Sequence, residues 1–196
     1  MTTLRSYPEP RISQLLFASK PAAIFWTVVR VYLGWLWLQA GWGKVTNPNW
    51  VGADAGTALT GFLQGALGRA AAETPTVPGW YAWMIENIFL PNATVMSYLV
   101  AFGQVAVGVA LIVGCLVGVA AFFGGFMNVS FLLAGTLSSN PVMFILATWL
   151  VLAWRVAGYY GVDRWLLPKL GAPKGKFGSE EQIASGVRPP EVAKQR

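Results

Sequence analysis

Residues 22–43 form an unbroken apolar run whose one formal charge is Arg30, and no other stretch restricts the chain so narrowly. As a helix rising about 1.5 Å per residue, the run spans roughly 30 Å, the thickness of a bilayer's hydrocarbon core. At helical spacing Arg30, Gly34, Trp37, Gly41 and Lys44 share one face. That face carries a cation inside the membrane, two glycines that let another backbone approach, an aromatic and a terminal lysine. A simple anchor needs none of these, so the run reads as the seam of a larger helical assembly.

Three further apolar runs follow at residues 93–114, 117–137 and 142–160, each near the ~20 residues that a crossing requires. Composition agrees: 55% of the 196 residues are hydrophobic and 11% are charged, against about a quarter charged in soluble domains. The expected fold class is an all-α membrane protein, a four-transmembrane-helix bundle. Only Cys115 and Leu116 separate the second run from the third, which predicts a tight antiparallel hairpin. Ala106, Ala110 and Gly114, then Gly118, Ala121 and Gly125, then Ala153, Ala157 and Gly161 set small residues where membrane helices can pack closely.

The segment between the first two runs, residues 45–92, is too polar to cross. Leu59, Phe62, Leu63, Ala66, Leu67 and Ala70 recur at three and four spacing, which predicts an amphipathic helix over 57–71. Trp80, Tyr81, Trp83, Met84, Ile88 and Phe89 mark a second short helix, ended by Pro91. The two are expected to cap one end of the bundle. Residues 1–20 read as a polar tail, with an interfacial helix at ISQLLF as the alternative. Residues 166–196 read as a flexible tail or one draped on a partner, leaving 21–165 as the membrane domain.

The two tails hold ten of the fourteen basic residues, whereas the loop region has only Lys44 and Arg69 against Asp54, Glu73 and Glu86. Four crossings put both tails on one side, and the positive-inside rule makes that side cytoplasmic and the loop extracytoplasmic. The net charge of +6 is then juxtamembrane, which suits membrane lipids with anionic head groups rather than nucleic acid.

There is no His, and Cys115 is the only cysteine. These absences argue against an internal disulfide, a Cys/His metal site, an iron–sulfur cluster, a His-ligated haem and a His-based triad. No catalytic residue is identifiable, so any electrons belong to a diffusible cofactor or a partner chain. Arg30 and Arg155 each lie roughly 10 Å inside the cytoplasmic ends of their runs. An arginine at mid-membrane costs about 2.5–3.5 kcal/mol by the gentlest scale. Two readings stay open. Both cations reach lipid phosphates or carbonyls, with Asp163 pairing one of them. Alternatively Arg30, Trp37, Arg155, Tyr159 and Asp163 line a pocket for an anionic or quinone-like head group, which the planar guanidinium fork suits. Gln104 and Asn128, at mid-run, read as interhelical polar contacts before ligand contacts. Lys44, Asp54 and Glu86 form an outer polar cluster, either surface ion pairs or an entrance beneath the cap.

Taken in order, R-V-Y-L-G…G-W-G-K (30–44), N-P-N-W-V (47–51), F-G-Q-V-A-V-G-V-A-L-I-V-G (102–114) and A-G-Y-Y-G-V-D (157–163) carry a resemblance. The chain resembles the DoxX/DoxD family of small four-span bacterial and archaeal membrane proteins, and its long outer loop looks more like the DoxD branch. The resemblance implies a plasma-membrane subunit of a thiosulfate:quinone oxidoreductase, with quinone as a noncovalent cofactor and partner protein subunits. Such proteins commonly carry Glu at the position of Gln104, so a proton-carrying carboxylate is missing here. Two functions are expected: an integral subunit of a quinone-linked electron-transfer system, or a structural or lipid- or quinone-binding accessory subunit of a larger respiratory or photosynthetic complex.

Overall fold

The computed structural model of the chain describes residues 10–171, and among these every regular element is helical. The order is α1 (Arg11–Ala18), α2 (Lys20–Val45), α3 (Thr57–Ala70), α4 (Gly79–Met84) running into a π-helical turn (Ile85–Phe89), α5 (Ala93–Val113), α6 (Val117–Leu133), α7 (Asn140–Leu152), α8 (Trp154–Ala157) and α9 (Asp163–Lys169). Two helices, α2 and α5, are long and apolar enough to cross a membrane, whereas α6 and α7 are apolar but shorter.

Local chemistry explains the boundaries. Ser19 Oγ accepts from Ala22 N–H at 3.3 Å, and Pro21 occupies the first turn, so α2 begins on a side-chain cap followed by a residue with no amide to satisfy. The expected hairpin forms: α5 ends at Gly114, whose φ of +74° suits a left-handed helix terminus, and α6 starts after Leu116. Gly135, at φ +76°, turns the chain again just beyond α6. That turn ends the third run at Leu133 rather than at residue 137. The fourth run is not one rod either. It breaks at Ala153 into α7 and the single turn α8, and Trp154 then lies on α6, with a Cβ built on Gly118 coming 2.8 Å from that of Trp154.

The tails differ from expectation as well. Residues 11–18 are a helix, so of the two readings for this segment the helix over ISQLLF, the alternative one, is the one that forms. Trp26 Nε1 on α2 donates to Leu16 O at 2.7 Å, and the Phe17 ring stacks on both Trp26 and Trp149. At the other end α9 makes residues 163–169 helical; the flexible stretch expected from residue 166 on lies mostly outside the described residues.

The most extensive helix pairing is α2 with α5. A Cβ built on Gly41 would lie 2.6 Å from Val105 N, and one on Gly108 would lie 2.6 Å from Leu38 N, so the two backbones touch. The glycines of the α2 face thus do what their spacing predicts. On α5 the partner is Gly108, because Ala106 of the expected small-residue stripe is exposed. Around this seam Leu33, Trp37, Leu111, Val117, Ala121, Ala147, Leu150 and Val156 make the main core.

A second core holds the cap. Leu59, Leu63 and Ala66 of α3 pack with Val77, Tyr81, Ile85 and Ala134, so both loop helices rest on the Ala134 end of α6. The outward faces of α2, α5, α6 and α7 stay apolar: Val28, Leu99, Phe126 and Val142 are each about 60% exposed or more.

Candidate functional site

A two-residue corner between α5 and α6 leaves backbone groups at both helix ends without intrahelical partners, and those that are buried need partners from elsewhere in the chain. Arg30, fully buried on α2, solves the α5 end. Its Nη1 donates to Leu111 O and, at 2.8 Å, to Ile112 O, while Nη2 donates to Tyr160 O at 3.1 Å. The guanidinium therefore sits at the negative end of the α5 dipole, where a cation is favoured. Space is made by Gly114: a Cβ there would lie 2.7 Å from Arg30 Cζ.

Asp163 solves the α6 end. Its Oδ1 accepts from Leu116 N–H at 2.6 Å and its Oδ2 from Val117 N–H at 2.8 Å. An anion thus caps a helix N-terminus from forty-odd residues away, the role usually given to the neighbouring residue. Its own amide donates to Gly114 O at 2.9 Å, and Val162 N–H reaches Val113 O at 3.3 Å, which closes the corner. Asp163 fits only because residue 158 is glycine, since a Cβ there would stand 2.5 Å from the Asp163 Cβ.

Arg30 and Asp163 are therefore brought to one corner, as opposite charges on adjacent helix ends. Arg155 is not. It is exposed on α8, with its guanidinium over the Trp154 ring at 5.3 Å from the centroid, so the two arginines do not line a common pocket. The physical reason is the break at Ala153, which takes the register of the fourth run away from the uninterrupted helix that periodicity assumes. Tyr159 is half-buried beneath the Arg164 guanidinium at 5.2 Å.

The remaining candidates divide by level. Trp37 is buried between α2 and α6, where a Cβ on Gly124 would lie 3.0 Å from its Nε1. Asn128 bonds across to α7, its Nδ2 donating to Asn140 Oδ1 at 3.1 Å and to Asn140 O at 3.3 Å. Gln104 is buried on α5, and its Oε1 has no partner among the described residues. At the far end of α2, Lys44 Nζ donates to Ala40 O at 3.2 Å and lies 5.0 Å from the Trp50 ring centroid. Asp54 and Glu86 are exposed, and neither is brought onto Lys44.

Two residues with clear roles were not singled out in the sequence. Arg69 of α3 donates from Nε and Nη2 to Ala134 O, at 3.1 and 2.8 Å, capping the C-terminal end of α6. Tyr81 Oη donates to Ser130 O one turn earlier, at 2.8 Å. The available signal for Arg69 was a lone cation closing the amphipathic helix at 57–71, though nothing local names its target. Chemically the arrangement secures helix ends: both Nη atoms of Arg30 are directed at carbonyls, while its buried Nε has no partner among the described residues. No protein-family model matches the chain, and no curated protein or solved structure shows significant similarity to it.

Proposed function

We propose that the chain is a four-crossing membrane protein of the DoxX/DoxD kind that serves a quinone-linked electron-transfer complex as a noncatalytic accessory subunit. Both tails lie in the cytoplasm of a bacterial or archaeal cell, and the 45–92 loop lies outside. The four crossings are supported by the apolar outward faces of α6 and α7, which match those of α2 and α5 although the helices are shorter. Lipid is the solvent that accepts such faces on all four.

The observation that carries the accessory reading is the use made of Arg30. The deepest cation of the first run spends its Nη donors on three backbone carbonyls, and its carboxylate counterpart is bound to two amides. A group so engaged stiffens a scaffold and is poorly placed to polarise a substrate. Gln104 in place of an acid points the same way, because an amide does not carry a proton through a cycle.

The test is purification of the tagged chain in mild detergent, with its lipid-soluble ligands. The accessory role predicts migration in a large assembly that contains a redox subunit. Arg30→Leu should cost that assembly and the thermal stability of the chain together. Isolation as a free monomer that reduces quinone by itself, with Arg30→Leu folded and inactive, would establish the catalytic reading instead.

A further inference from the structure

Four buried side-chain polar atoms have no hydrogen-bond partner among the described residues, Arg30 Nε, Trp37 Nε1, Gln104 Oε1 and Asn128 Oδ1, and the last three belong together. They come from three helices, and the close approaches along the seam put them at neighbouring levels. Gly41 follows Trp37 by one turn, and a Cβ built on it would stand 3.0 Å from Gln104 Cβ. Gly124 precedes Asn128 by one turn, and a Cβ there would lie 3.0 Å from Trp37 Nε1 and 3.2 Å from Val107 Cγ1. Val107 in turn follows Gln104 by nearly one turn. The three residues therefore lie within about one helical turn of each other along the seam, beside two glycines, and together offer one donor and two acceptors without a partner among the described residues. The three side chains are each at least 98% buried.

Chance arrangements of this kind are rare, since buried polar groups in folded proteins almost always have partners and each orphan is destabilising. Their chemistry is also complementary to one kind of guest. An indole N–H needs an acceptor, and two amide oxygens need donors. We propose that the α2–α5–α6 junction is a binding site for a hydroxyl-bearing guest, held by accepting from Trp37 Nε1 and donating to Gln104 Oε1, Asn128 Oδ1 or both. A water molecule supplies both donors at once, and a hydroxyl of a lipid-soluble alcohol or phenol supplies one together with the same acceptor oxygen. The inference concerns this chain alone and stands whether or not the accessory role holds.

The experiment reads the Trp37 indole N–H by vibrational difference spectroscopy on the full chain in detergent, wild type minus Trp37→Phe. The expected difference band is that of a hydrogen-bonded indole; a free N–H band at Trp37 overturns the proposal. Gln104→Met, which removes an oxygen without a protein partner and keeps the chain length, should shift the same band, and an unmoved band would mean that no shared guest exists. This variant also serves should Trp37→Phe fail to fold. Extraction of the protein with apolar solvent distinguishes the sources: a hydrogen-bonded band restored only by adding a phenolic alcohol identifies a lipid-soluble guest, and one that survives extraction identifies water.

Discussion

Arg30 and Asp163 cap helices to which neither belongs, and their neighbours are shaped around them. The tightest constraint is at residue 158, where a Cβ would collide with the Cβ of Asp163 at 2.5 Å. Gly158→Ala should displace the carboxylate and destabilise the chain by about 1–3 kcal/mol, as overpacking does. Asp163→Asn keeps an acceptor but loses the charge and one of two amide bonds, so a loss of about 1–3 kcal/mol is expected. Because both act on the α6 N-terminus, Gly158→Ala combined with Asp163→Asn should cost less than the sum. Thermal melts of the four proteins in one detergent check this, and full additivity would show that Gly158 serves something other than Asp163. Gly158 was not legible as a partner of Asp163 from sequence, since a glycine near a run's end reads equally as a breaker.

Among the elements, the α2–α5 seam and the cap carry the sharpest expectations. Gly108→Ala places a methyl group 2.6 Å from the amide nitrogen of Leu38, and backbone cannot step aside as a side chain can. The helices must part, at about 1–3 kcal/mol or more. Ala106→Leu, on the exposed face two residues earlier, should stay within about 0.5 kcal/mol. Equal effects from the two would mean that the seam lies elsewhere. The small-residue spacing named α5 as a packing helix and set Ala110 and Gly114 inward, but it included the exposed Ala106 and missed Gly108, because alanines and glycines recur on several faces of one apolar helix. In the cap, burial pushes the Tyr81 phenol up from its ordinary value. The folded state therefore holds this proton more tightly than the unfolded state does. Its stabilising contribution is complete below about pH 10, the ordinary tyrosine value, and is lost as pH rises from there through the raised one. The stability difference between wild type and Tyr81→Phe, which near neutrality is the constant cost of the lost bond to Ser130 O, should change only in that range; a difference that already varies with pH near neutrality would rule the argument out.

For the whole molecule the decisive quantity is the number of crossings, which labelling can count. With Cys115 replaced by serine, single cysteines at Asp54, Ser138 and Arg164 report three turns of the chain. Four crossings predict that Asp54→Cys and Ser138→Cys react with an impermeant maleimide on intact cells, and that Arg164→Cys reacts only after lysis. Labelling at Ser138 from the inside would reduce the crossings to two. Four apolar runs, the hairpin at Cys115–Leu116, the amphipathic helix before Arg69 and the glycine face of α2 were all determined by sequence, because each expresses interactions between residues a few positions apart. Only the tertiary structure decided where the charges go. Arg30 to the end of α5, Asp163 to the start of α6, Arg69 to the end of α6 and Arg155 to the surface are choices between distant segments. Periodicity gives a residue its face and its depth. Which helix end then lies within reach of its donors depends on the path of the chain, including the break at Ala153 that no local pattern announced.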